Sequence, residues 1–126
     1  MWNIVERDQQ VHIDVPINSK DVKRFNDDEP PSLVALLANQ NATVLKVYPR
    51  SHRQLMGLIP ETVIQPVDVS IPRGHAIVLD SRLAHAGKGY ENMNLRSHLY
   101  LPRRYVNLKN NSVGYLTDAE RAFFPE

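Results

Sequence analysis

Hydrophobic positions along the chain recur mostly at every second residue, in short runs separated by polar or proline-containing breaks, and that period predicts strands rather than helices. Residues 2–16 carry Ile4, Val11, Ile13 and Val15 in loose alternation, one or two strands with a turn at Asp8, Gln9 and Gln10. Residues 18–32 are polar and close on Pro30 and Pro31, a surface excursion of the kind that forms a rim or lid. Residues 33–38 are apolar and could start a helix capped by Ser32. The run is short, however, and Asn39, Gln40 and Asn41 make a turn before an evident strand over 43–48, so the preferred reading is a β-hairpin.

Pro49 to His52 reads as a tight turn and 53–61 as a connecting loop anchored by Leu55, Met56, Leu58 and Ile59. Residues 62–71 alternate through Val63, Gln65, Val67, Val69 and Ile71 but are broken at Pro66, which predicts an edge strand with a bulge or two short strands. After the turn at Pro72, Arg73 and Gly74 come a buried apolar strand (76–79), a second short strand carrying His85, and a Gly- and Asn-rich turn over 87–94. An alternating strand then points Arg96, His98 and Tyr100 to one face. Near the end, Thr117 and Glu120 form a capping box for a short helix, with Ala122, Phe123 and Phe124 available to dock. Many short strands at close spacing, with no internal repeat, predict an all-β jelly roll or small barrel with a short C-terminal helix.

Composition narrows the chemistry. With 126 residues there is room for one domain, taken as residues 1–126. Lys and Arg together number 15 against 14 Asp and Glu, so nucleic acid is not an expected partner, a local patch at Arg103 and Arg104 aside. The apolar runs are too short to span a bilayer and the N-terminus lacks a signal-peptide core, so no membrane partner and a soluble, cytoplasmic protein are expected. Cysteine is absent, so any metal must sit on histidine, carboxylate or carbonyl oxygen.

One such set stands out. His12 and Asp14 are two apart on a strand and therefore share a face, although an H-x-D triplet without a third ligand reads better as a polar edge. Together with the distant His85 they supply two imidazoles and one carboxylate, the facial set that leaves positions open on non-haem Fe(II). Arg96 follows His85 across one turn, where its guanidinium could face a carboxylate of a co-substrate; its competing reading is a structural bridge to Asp80 or Glu91. His52 and His75 read as structural, Asp80 as ordering its turn, Lys46 and Tyr48 as possible pocket walls, and Tyr100 as either a core aromatic or a wall.

In order, His12 and Asp14, the apolar stretch 33–48, the turn Pro49-Arg50-Ser51-His52, the segment 74–80, His85 and Arg96 resemble the Fe(II)- and 2-oxoglutarate-dependent dioxygenases, most closely the phytanoyl-CoA-dioxygenase-like group. The resemblance covers roughly residues 10–102. It implies a double-stranded β-helix (jelly roll, cupin-like), with iron on His12, Asp14 and His85, and 2-oxoglutarate met by Arg96, with His98 and Tyr100 on the same face. The activity it implies is hydroxylation of a small organic substrate with formation of succinate and CO2. Arg50 stands where the family's turn usually has Gly, and His98 where many relatives have Ser. Because His12 stands so near the start, the usual N-terminal region is expected to be missing or reduced, with sheet edges covered by a second copy or by a longer parent chain. The alternatives are a cupin-like binding or structural module without oxygen chemistry, and a metal-dependent isomerase on the same barrel.

Overall fold

Strand-forming alternation over most of the chain is realised as two antiparallel sheets in the computed structural model, which describes residues 2–3, 9–15, 29–88, 94–102 and 114–126. The strands are β1 (Trp2–Asn3), β2 (His12–Ile13), β3 (Ser32–Ala38), β4 (Thr43–Val47), β5 (Val67–Ile71), β6 (Ala76–Asp80), β7 (His85–Gly87), β8 (Asn94–Pro102) and β9 (Gly114–Tyr115). Two short helices complete the described elements, α1 (Ser51–Leu55) and α2 (Asp118–Arg121). One sheet has the order β1-β8-β3-β6 and the other β5-β4-β7-β2-β9. The fold class is therefore all-β, as the two-residue period predicted. No helix among the described residues is long and apolar enough to cross a membrane.

The expected hairpin over 33–48 is corrected. Both strands form, but β3 pairs with β6 and β8 while β4 pairs with β5 and β7, so the connection at Asn39 to Ala42 passes from one sheet to the other. The reason lies in what each strand must bury. Leu36 and Ala38 of β3 pack with Leu79 against Leu45, Val47 and Ile71 of the other sheet, and a flat hairpin would put both apolar rows on one side with nothing between them. Ala42 turns the corner at φ 63°, and its neighbour Ala38 is tied to the 72–75 turn through Ala38 N–H to His75 O (2.9 Å) and Gly74 N–H to Ala38 O (2.8 Å).

Three further expectations change. The strand at 76–79 is not a buried one: β6 is the last strand of its sheet, and Val78 is exposed while Leu79 is buried. The predicted turn and loop after Pro49 begin instead as α1, entered through Arg50 at φ 66°. That is the left-handed region, where a Cβ is disfavoured and Gly is at ease. Of residues 62–71 only Val67–Ile71 is strand, and it is an edge strand, beginning immediately after Pro66 because proline cannot donate to the ladder. The excursion at 18–28, the body of the turn before β8, Arg103 and Arg104 lie outside the described residues.

The five-stranded sheet is apolar on both faces. Its inner side meets the four-stranded sheet through Leu45, Val47 and Ile71, whereas Val11, Ile13, Tyr48, Ala84 and Ala86 face the C-terminal segment, packing with Leu116 and Phe124. Helix α2 has the expected capping box, with Glu120 N–H donating to Thr117 Oγ1 (3.1 Å) and Thr117 N–H to Glu120 Oε1 (2.9 Å). It delivers Phe124 to an edge-on contact with Tyr48, ring centroids 5.5 Å apart, and Tyr48 Oη donates to Pro125 O (2.8 Å). Burying that phenyl ring stabilises the fold by about 1.5–3 kcal/mol. The consequence for function is one of parity. With Val11, Ile13, Ala84 and Ala86 committed to the outer layer, the residues between them, His12 and His85, must point inward.

Candidate metal centre

Strands β2 and β7 run antiparallel with His12 directly opposite His85. Their rings lie 4.5 Å apart at an interplanar angle of 56°, and Asp14, two residues beyond His12, projects to the same side. One donor atom from each of His12, Asp14 and His85 lies within 4.8 Å of the other two, an arrangement that could hold a metal ion. Asp14 is held by its own backbone, whose N–H donates to Ser81 O (2.9 Å).

The hydrogen bonds fix what the two imidazoles offer. His12 Nδ1 lies 2.9 Å from Gln10 O and His85 Nδ1 lies 2.8 Å from Leu83 O. A carbonyl oxygen can only accept, so both Nδ1 atoms carry hydrogen and both Nε2 atoms present lone pairs to the site. Those lone pairs face a carboxylate: His85 Nε2 is 3.3 Å from Asp14 Oδ2 and His12 Nε2 is 3.7 Å from Asp14 Oδ1. Three acceptors converging in a largely buried place, with Asp14 and His85 side chains 7% and 8% exposed, could share a cation between them. A proton is a poor candidate on His85, whose pKa is pushed down by burial, only partly countered by the Asp14 charge. A divalent metal satisfies all three donors, and histidines tied through Nδ1 to a second hydrogen-bonding group are the usual form of metal ligand.

The turn that carries His85 is built rigidly. Arg82, fully buried, donates through its backbone N–H (2.9 Å) and Nε (3.0 Å) to Asp80 Oδ1 and through Nη2 to Asp80 Oδ2 (2.8 Å). Ser32 Oγ donates to Ser81 Oγ (2.6 Å), joining the turn to β3. Asp80 thus orders the turn, as expected, and it does so through Arg82, a residue that sequence reasoning passed over.

Across the space between the sheets, Arg96, His98 and Tyr100 of β8 stand opposite Ala38, Leu36 and Val34 of β3, all three buried, which places the β8 trio on the inner face. Arg96 is 1% exposed and Tyr100 is 37% exposed, so the row runs from the interior to the surface. The His98 pKa is lowered by burial and then by the Arg96 charge, and the Tyr100 pKa is raised by burial and then by Asp14, keeping its hydroxyl protonated. His98 Nε2 is buried and makes no hydrogen bond among the described residues.

Other candidates fall away. His75 is exposed and His52 sits in α1. Tyr48 is not a pocket wall, because it packs in the outer layer with Phe124; Lys46, alternating with Leu45 and Val47, shares that outer side. Glu91, the alternative partner for Arg96, lies outside the described residues. No protein-family model matches the chain, and no curated protein matches it at a significant level.

Proposed function

We propose that this chain is an Fe(II)- and 2-oxoglutarate-dependent dioxygenase that hydroxylates an organic substrate. The observation that carries the reading is the pair of imidazoles locked through Nδ1 with both Nε2 lone pairs turned on the Asp14 carboxylate. Two neutral nitrogens and one carboxylate suit Fe(II) and occupy only part of its coordination sphere, leaving positions for a chelating co-substrate and for oxygen. The strand orders β1-β8-β3-β6 and β5-β4-β7-β2 support a double-stranded β-helix, in which consecutive strands alternate between the sheets except for the β4–β5 pair.

When bound, the iron and 2-oxoglutarate supply the oxidising chemistry, with succinate and CO2 as co-products. The chain's own residues hold and select. His12, Asp14 and His85 would be the iron ligands, and retention of the carboxylate rather than a small residue at position 14 favours hydroxylation over halogenation. Arg96, a buried guanidinium on the facing strand, offers a fixed fork for the far carboxylate of the oxo acid. His98 and Tyr100 line the route outward from Arg96 and would contact the oxo acid or the substrate.

Anaerobic titration of the purified chain with Fe(II) and then 2-oxoglutarate tests the reading, followed by the weak visible band of the chelated iron. The parent is expected to develop the band, Asp14→Ala and His85→Ala to lose iron, and Arg96→Ala to keep iron but lose oxo-acid binding. Iron binding without the band in the parent, or an Arg96→Ala variant that binds 2-oxoglutarate as the parent does, overturns it and favours a metal-binding module without oxygen chemistry.

A further inference from the structure

Gly87 is two residues beyond His85 on β7, buried, and its φ lies outside the left-handed range, so no backbone strain calls for glycine there. What calls for it is space. A Cβ at position 87 would stand 2.7 Å from Arg96 Nη2, 3.0 Å from Arg96 Nη1 and 2.8 Å from Gln9 Oε1. These separations are well inside van der Waals contact. The guanidinium of Arg96 therefore lies directly against the β7 backbone at the one point where no side chain intervenes. Gln9 holds the same point from the neighbouring segment. Its N–H donates to Gly87 O (2.9 Å) and its side-chain Oε1 accepts from Gly87 N–H (3.0 Å).

We infer that Gly87 and Gln9 are positioning residues for Arg96, a seat on the strand that carries His85, which fixes where the guanidinium stands relative to the metal ligands. The fork is rooted on β8 and its tip lies against β7 at Gly87, the strand that also carries His85. A guanidinium ordered before the ligand arrives avoids the affinity lost when a long side chain must be ordered on binding. The role of the seat in binding an oxo acid rests on the reading proposed above; the seat itself rests on the contacts at Gly87.

The decisive variant is Gly87→Ala. The atoms its methyl group meets are the far ends of two flexible side chains, so the fold is expected to survive and the guanidinium to move. Two measurements separate the seat from the proposed activity. In nitrogen-15 spectra of the metal-free parent, a seated Arg96 gives a slowly exchanging Nε–H resonance, assigned by its loss in Arg96→Lys. Gly87→Ala is expected to shift or broaden that signal while the remaining backbone spectrum stays folded, and Gln9→Leu, which keeps the backbone contact but removes Oε1, is expected to broaden it less. An unchanged Arg96 signal in both variants overturns the seat whether or not the chain binds 2-oxoglutarate. In the Fe(II)-loaded protein, Gly87→Ala is expected to weaken 2-oxoglutarate binding roughly ten- to hundredfold, the worth of one or two charge-assisted hydrogen bonds, with Fe(II) affinity kept. Parent-like oxo-acid affinity in Gly87→Ala overturns the positioning role even if the signal moves. A parent that binds no 2-oxoglutarate instead sinks the dioxygenase reading and leaves the seat to be decided by the Arg96 signal.

Discussion

Replacing Arg82 by methionine removes a buried cation from the turn that carries His85. The side chain is fully buried, while its partner Asp80 is 18% exposed. Methionine fills a similar volume, so the loss is mainly electrostatic: the guanidinium bonds to Asp80 and the Nη1 contact with Met56 Sδ disappear, while Asp80 keeps the bond from the backbone N–H of residue 82. Breaking one side of a buried pair costs about 3–5 kcal/mol, and the partial exposure of Asp80 places this variant near the lower figure. Asp80→Asn is expected within the same range, because it removes the carboxylate charge facing a fully buried guanidinium. The double variant Asp80→Asn with Arg82→Met removes the stranded charge and is expected to cost less than the two single changes summed, by about 2 kcal/mol or more. Urea unfolding with a common slope measures all three. The loss should also reach the metal site. The turn supplies Ser81 O to the Asp14 N–H and Leu83 O to His85 Nδ1, so Fe(II) affinity in the folded Arg82→Met protein is expected to fall roughly tenfold or more. An Arg82→Met protein within 1 kcal/mol of the parent, or strictly additive single changes, refutes the reasoning.

Two other perturbations follow from the same structure. Arg50→Gly relieves a left-handed residue that is exposed and makes no side-chain cap, and is expected to stabilise the chain by roughly 0.5–1 kcal/mol in urea unfolding; a clear loss of stability contradicts the backbone argument. With metal removed by chelator, stability is expected to fall as pH drops from 7.5 towards 5.5. His85, facing Asp14, His12 and Arg96, and His98, facing Arg96, Asp14 and His85, both have pKa values lowered in the folded protein from about 6.5, so the unfolded chain takes up protons first. Their contribution is complete above that value and is lost below it, and thermal melts that are flat or rise on acidification over this range contradict the assignment.

Local alternation put His12 and Asp14 on one face, and the ordered set of motifs, not alternation, singled out His85 and Arg96. His12 and Asp14 share a face because they are two apart on a strand, and His85 and Arg96 were placed on separate short strands by the turns between them. The same logic predicted Arg96, His98 and Tyr100 on one side of β8, and the register with β3 bears this out. The capping box of α2 was equally local, two side chains and two backbone groups within one turn. Such features depend on neighbours in sequence, and the sequence holds all of them.

Pairing between distant strands was not available in the same way. A hairpin and a passage between sheets have the same local signature, two alternating strands and a polar turn, and only the need of Leu36 and Ala38 to meet Leu45 and Val47 across a core separates them. The β6 pattern gave no sign that its sheet would end there and leave Val78 exposed. Tyr48 could be assigned to the outer layer only once Phe124 was seen to dock on it. Gly87 read as the start of the turn over 87–94, whereas it ends β7, and what fills its missing side-chain position comes from β8 and from Gln9. The sequence alone determined the strand period, the turn chemistry and the identity of the donor atoms. Tertiary structure decided which donors meet, because convergence depends on register and on which face of each sheet is already taken by apolar packing.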